Sequence, residues 1–229
     1  MQNLSNCLLN NNSIIEFIKS EEILIEPFVS ENLNTSSYDV TLGEYYYREN
    51  PNTKFFNPYS KISVDETWGE PLRAKQLYEI FMGKNDFEVN LENIYIDGIS
   101  LNDKVILIRP GEKILCHTKE KIGGKTRVTT MMKARSSIGR SFLTVCSCAG
   151  MGDIGFDGIW TMEIGNTSLN HIIVLVVGRR IAQIVFFDTG NIVDIKTNYK
   201  TNGKYLSDVW SPEMMLPKLY LDREVKKKF

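Results

Sequence analysis

The residues from Lys133 to Arg140 read Lys-Ala-Arg-Ser-Ser-Ile-Gly-Arg, placing two arginines, two hydroxyls and a glycine in one short span between apolar segments. Forked guanidinium donors, serine hydroxyls and main-chain amides bared by a glycine are what phosphate oxygens accept from, and a triphosphate suits this set. The same string also reads as a solvated surface loop, so its meaning depends on its surroundings. Glu163 is a second candidate, an acid inside the apolar run Ile159 to Ile164, although a strand glutamate ordinarily faces water. Asp153, close to Gly152 and Gly155, can serve a ligand or cap a turn. Gln183 can contact a ligand or satisfy core backbone.

These residues need a scaffold, and the chain supplies short apolar segments rich in β-branched residues. They run Lys104 to Ile108, Lys113 to Cys116, Ile159 to Ile164, Ile172 to Val177 and Ile181 to Phe187. Turn residues separate them at Pro110 and Gly111, Gly123 and Gly124, Gly165 and Asn166, and Gly178. Such a pattern predicts an all-β sandwich or barrel. Ile14, Phe17 and Ile18 share one helical face within Ser13 to Lys19, with Ser13 placed to cap a short docking helix before the strand at Ile23 to Phe28. Pro71 to Met82 is read as a second helix, inside an insertion spanning residues 65–100. One domain covers residues 1–229, and residues 199–229 form a C-terminal arm ending in a basic cluster. Trp210, Met214 and Met215 on that arm need covering, and a neighbouring subunit could cover them.

Bulk composition narrows the function further. The 229 residues are 42% hydrophobic and 24% charged, enough for an unaided core. With 27 basic against 28 acidic residues, no global field draws the chain to nucleic acid or to an anionic membrane, so an anionic ligand must be met by a local cluster. The longest apolar run, near Ile172 to Val177, falls far short of the ~20 residues of a bilayer span, and a soluble cytoplasmic protein is expected. Cys7, Cys116, Cys146 and Cys148 are too few and too irregular for a disulfide scaffold and are read as reduced thiols, with Cys146 and Cys148 buried.

Four strings stand in a fixed order: Ser36 to Gly43, Ala134 to Arg140, Ala149 to Gly158 and Gly178 to Gln183. Together they resemble the ordered motifs of the dCTP deaminases, including the bifunctional deaminase/dUTPases, of the trimeric dUTPase superfamily. The resemblance also takes in the N-terminal helix and the first strand; it fades over residues 44–103 and loosens after Phe187. It implies a dUTPase-like distorted β-barrel or jelly roll, assembled as a homotrimer with active sites at the subunit interfaces. Glu163, ten positions after Asp153, falls where dCTP deaminases keep their catalytic glutamate and plain dUTPases have no acid. Phe156 points the same way, since dUTPases usually place tyrosine there.

Hydrolytic deamination of cytosine needs an activated water, a proton for the ring nitrogen and an exit for ammonia, and one carboxylate can serve all three by taking a proton and returning it. The resemblance gives Glu163 that role. It implies that Ser136 and Arg140 position water and base, and that the Ala149 carbonyl holds the water or the amino group. Arg135, Ser136, Ser137 and Lys204 hold the triphosphate, with Ile138 and Gly139 in the same loop and Mg²⁺ carried on the phosphates. Asp153 sits by the deoxyribose, Thr161 and Met162 offer backbone to the pyrimidine, and Gln183 and Tyr199 match ligand-contacting positions. The implied partners are dCTP and also dUTP or dTTP, and a dUTP pyrophosphatase or a nucleotide-binding sensor are the alternatives. Zinc-assisted deamination would need His-x-Glu and Pro-Cys-x-x-Cys strings, and neither occurs around His117, His171 or the cysteines. The chain departs from the family at Met151 and Gly152, which replace a bulky pair. It departs again at Cys148, where a threonine is linked to dTTP feedback, and at Asp208, which replaces a glutamine in an arm where Tyr199 also stands closer to Lys204 than usual.

Overall fold

In the computed structural model, the described residues are 7–83, 97–190, 198–207 and 209–222. Asp208, residues 84–96 of the expected insertion and the basic end from Lys226 to Phe229 lie outside them.

The chain starts with α1 (Asn11–Lys19), β1 (Ile23–Glu26) and the long β2 (Tyr38–Arg48). Ser13 is not the cap of α1; its N–H donates at 2.9 Å to the side chain of Asn10, the residue that caps the helix. Ile14 is fully buried, and Phe17 and Ile18 pack beside it as their spacing predicts. Next come α2 (Lys61–Trp68), β3 (Leu72–Arg73), β4 (Lys75–Gln76) and α3 (Leu77–Met82). The helix expected over Pro71 to Met82 is therefore confined to its second half. Leu72 and Arg73 pair instead with Tyr46 and Tyr45 of β2, because an open sheet edge offers better partners than a weak helical propensity. Glu79 accepts from the Gln76 N–H at 2.9 Å and fixes the helix start. α2 was not legible in the sequence: of its residues only Val64 and Thr67 are buried.

The remaining elements are β5 (Lys104–Ile108), β6 (Lys113–Gly124), β7 (Val128–Ala134), α4 (Ser136–Arg140), β8 (Leu143–Val145) and β9 (Met151–Gly152). They are followed by β10 (Ile159–Asn166), β11 (Ile173–Val176), β12 (Arg180–Asp188) and α5 (Tyr199–Asn202). The main sheet runs β8-β10-β6-β2-β12-β7-β9, with β1 added beside β6 and β3 beside β2; a smaller sheet runs β11-β5-β4. β2 turns the corner between two halves of the main sheet, pairing with β12 through Thr41 and with β6 from Leu42. Gly43 sits at this corner, where a Cβ would come within 2.0 Å of the His117 ring, so the sheet closes only over a bare backbone.

Gly123 and Gly124 do not form the expected turn. They end β6, pairing with Leu24 and Ile23, and a Cβ on Gly123 would meet the Phe156 carbonyl at 1.8 Å. Gly165 and Asn166 likewise end β10 rather than follow it. The main core packs Tyr38, Val40, Ile114, Met162, Ile164 and Phe186 inside the curled sheet. A second cluster, Tyr47, Val64, Leu115, Met215 and Leu216, lies on the far face of β6. On the arm, Met215 is thus buried within its own chain and Trp210 packs beside it, while Val209 and Leu221 stay exposed. No described helix is long and apolar enough to cross a membrane.

Candidate active site

Strand alternation on β10 separates core from cavity. Trp160, Met162 and Ile164 are buried inside, so Thr161 and Glu163 project to the other face. There they line a cavity of about 670 Å³ with Lys113, Leu115, Ala149, Met151 and Asp153. Its far wall is apolar, formed by Phe56, Pro58 and Trp68 around α2 and by Met214, Met215 and Pro217 of the arm. Trp160, Phe156 and Tyr199 stack edge to face at 5.1 and 5.4 Å, and the Trp160 indole donates to the Ile122 carbonyl at 2.8 Å, fixing one side of the opening.

The Glu163 carboxylate is half-enclosed, and its Oε2 is buried without a hydrogen-bond partner among the described residues. Burial pushes the group above the usual carboxylate range, opposed by its own main-chain N–H and by the Lys113 ammonium. An unsatisfied buried oxygen is uncommon and marks a place where a ligand or water completes the shell. β8 pairs with β10 only from Ile164 to Asn166, after which the Cys146 N–H donates to the Glu163 carbonyl at 3.1 Å. Backbone at Thr161, two residues away, faces that same edge beyond the end of β8. Met162 alternates the other way: its side chain is in the core and its backbone is directed to β6, away from the open edge.

Ala149 reaches the cavity through a tight turn. Cys146 and Ser147 adopt left-handed backbone, at φ 57° and 35°, and the Ala149 N–H donates to the Cys146 carbonyl at 2.6 Å. Cys146 is buried here, with Sγ 3.1 Å from the Met132 sulfur, whereas Cys148 is exposed, against the expectation of two buried thiols. Cys148 belongs to the exposed limb of the turn, a feature that residue type alone does not reveal.

The basic string is a helical turn rather than an open loop. Arg135 precedes α4, its Nε 3.2 Å from Oδ2 of the buried Asp39, while Ser136, Ser137, Gly139 and Arg140 are exposed and Ile138 packs against the core. Gln183 sits half-buried on β12, between Asp39 of β2 and Lys133 of β7. Lys204 is ion-paired with Asp222 in the arm. Ala149, Asp153, Thr161, Glu163 and Tyr199 therefore share the cavity within one chain, and the Arg135 to Arg140 string, Met162, Gln183 and Lys204 do not line it. None of the candidates lines the larger depression, about 780 Å³, beside β4 and β5. Sequence reading missed Lys113, Trp68, Phe56 and Tyr205 at the cavity; alternation along β6 puts Lys113 on one face with Leu115 and His117, but which strand that face adjoins is set by the register. Among the described residues no three His, Cys, Asp or Glu side chains gather to hold a metal ion.

A family model described as dCTP deaminase-like matches residues 8–189. The dUMP-forming dCTP deaminase of Nanoarchaeum equitans is 28% identical over 208 residues, covering 89% of this chain and 98% of the relative. That of a Hydrogenobaculum species is 30% identical over 179 residues, covering 78% and 81%. Among solved structures, the 2'-deoxycytidine 5'-triphosphate deaminase of Agrobacterium tumefaciens superposes with a TM-score of 0.52 at 15% identity, over 81% of this chain and 47% of that one. The chain spans about half the length of that solved protein, and the likeness there is one of fold, in keeping with the mainly β architecture expected from the strand pattern.

Proposed function

The chain belongs to the dCTP deaminase-like family, and on that premise we propose that it hydrolyses dCTP to dUTP and ammonia, continuing to dUMP and pyrophosphate. The observation that carries this reading is the buried, unpartnered oxygen of Glu163 in a cavity shared with Ala149, Asp153, Thr161 and Tyr199.

Water held against the Ala149 carbonyl adds to C4 of the cytosine while Glu163 takes its proton; the same proton goes to N3. A second proton passes by way of the carboxylate from the new hydroxyl to the amino group, which leaves as ammonia. Glu163 ends as it began, so one carboxylate closes the cycle. The open edge at Thr161 reads the pyrimidine through backbone donors and acceptors, which discriminate strongly when buried. Asp153, at the cavity rim, serves the sugar and the water of the second hydrolysis.

Because the α4 string does not line its own chain's cavity, we assign Arg135, Ser136, Ser137, Ile138, Gly139 and Arg140 to a neighbouring protomer's site in a homotrimer. Gln183, Tyr199 and the arm lysine Lys204 complete the binding set. Magnesium arrives on the triphosphate as part of the substrate.

Incubating the protein with dCTP and magnesium, and resolving dUTP, dUMP and dCMP by chromatography, tests this. Ammonia with dUMP is expected, and Glu163→Gln abolishes both. Pyrophosphate from dUTP without ammonia from dCTP would instead make the chain a pyrophosphatase, and no turnover of either would make it a nucleotide-binding protein. Inactive Glu163→Gln and Arg135→Ala chains, refolded together, regain partial activity if the site is shared between protomers.

A further inference from the structure

Glu163 and Gly165 are two residues apart on β10 and share a face. The register with β6 sets Leu115 opposite Glu163 and Lys113 opposite Gly165. Gly165 has no side chain, and a Cβ there would press on Thr144 Oγ1 at 2.8 Å and stand in contact, at 3.9 Å, with Cε of Lys113. The lysine stem therefore lies over the glycine, on the glutamate's side of the sheet. Lys113 and Glu163 line the same cavity, yet make no direct ion pair among the described residues.

A base must be charged before it can take a proton. In a half-enclosed site, the burial that makes a carboxylate basic also favours its neutral form, so something must oppose it. Among the described residues, the titratable and charged groups around Glu163 are few. β6 presents Lys113 and His117, and the turn after β8 presents the Cys146 thiol, pushed up to about 12 by burial. Asp153, Tyr199 and Tyr205 stand across the cavity. Burial holds His117 below its ordinary range, and its Nε2 accepts from the Tyr45 N–H, so it is neutral. Lys113 supplies the positive charge.

We propose that Lys113 is a positioning residue that reaches over Gly165 and keeps the Glu163 carboxylate in the charged form able to act as a base. This rests on the reading of Glu163 as the base, and Lys113 acts through Glu163 rather than on the nucleotide. The Coulombic pull of an ammonium across a partly dehydrated cavity is felt without contact and weakens with salt.

The test compares the parent chain with Lys113→Met and Lys113→Arg, both at an exposed position that leaves the core untouched. Carbon-13 labelling of glutamate carboxyls, with the Glu163 signal assigned from Glu163→Gln, gives the titration of that group in the unliganded protein. In Lys113→Met it moves to higher pH, and the acid limb of kcat/KM for ammonia release from dCTP moves with it; Lys113→Arg keeps both in place. A Glu163 titration unmoved in Lys113→Met overturns the proposal, as does a titration that moves while the acid limb stays. A parent that releases no ammonia defeats the deaminase reading instead, and the carboxyl titration still decides whether Lys113 holds Glu163 charged.

Discussion

Arg135 Nε lies 3.2 Å from Oδ2 of Asp39, and the same oxygen lies 3.3 Å from Nη1 of Arg180. Asp39 is 2% exposed, on the half of β2 that pairs with β12, so one buried carboxylate anchors two guanidinium groups of which only one was a candidate in the sequence.

Removing that anchor frees both arginines and leaves like charges side by side. Breaking a buried pair typically costs ~3–5 kcal/mol, and because these guanidinium groups are partly exposed we expect about 1–2 kcal/mol for Asp39→Ala. Urea unfolding measures it. If Arg135 serves phosphate, KM for dCTP rises more than kcat falls, because the change touches binding rather than the reacting carbon. Unfolding and kinetics both equal to the parent's would dissociate Asp39 from the phosphate string.

Glu163 carries an opposing demand. Its carboxyl is raised above the ordinary value of 4.5, first by burial. Between the ordinary and the raised value, the folded protein holds more protons than the unfolded chain, so stability falls as pH climbs through that window. Glu163→Gln removes the buried charge while keeping the polar shape, and should be more stable than the parent at pH 7. Below about pH 4, where the carboxyl is neutral in both states, the difference should vanish. Thermal melts at the two pH values decide it; an equal difference at both would show that charge is not the cause.

What could be read from the sequence divides along the same line as local and distant contacts. The strand segments follow from residues near one another in the chain, and Glu163 could be singled out only through the family resemblance, which gives meaning to its distance from Asp153. Lys113 could not, because its approach to Glu163 depends on the register of β6 against β10 and on the gap at Gly165. Gly123 looked like a turn residue, and its actual reason, the Phe156 carbonyl pressed against it, is a tertiary one. Trp68 and Phe56 come to the cavity on a stretch with no helical or strand periodicity strong enough to place them.

His117 ties the corner of β2 to the arm. Its Nε2 accepts from the Tyr45 N–H at 3.2 Å, its Nδ1 meets the Thr118 carbonyl at 2.8 Å, and the Trp210 ring lies 4.4 Å away. Burial holds its pKa below the ordinary 6.5, so the unfolded chain takes up the proton first. Its contribution to stability is full above about pH 6.5, declines as pH falls below that value, and stops declining below the lowered native pKa. Melting temperature should therefore drop between pH 7.5 and pH 5.5, and the drop should shrink in His117→Phe. An unchanged slope in that variant would assign the acid sensitivity elsewhere.

The four thiols should separate by reactivity. Burial raises the Cys116 thiol far above its ordinary range and pushes Cys146 up to about 12, while Cys7 and Cys148 are exposed. Thiolate is the reacting form, so a disulfide reagent should titrate Cys7 and Cys148 in the native protein and all of the cysteines in denaturant. Cys148 precedes Ala149, which lines the cavity beside Glu163. A bulky adduct there should displace the turn and weaken dCTP binding, and saturating dCTP should slow the modification of Cys148 but not of Cys7. Substituting Cys148→Ser should remove the protected fraction while leaving the Cys7 rate intact. Equal rates at Cys7 and Cys148 with and without dCTP would mean that the nucleotide does not reach the Ala149 turn.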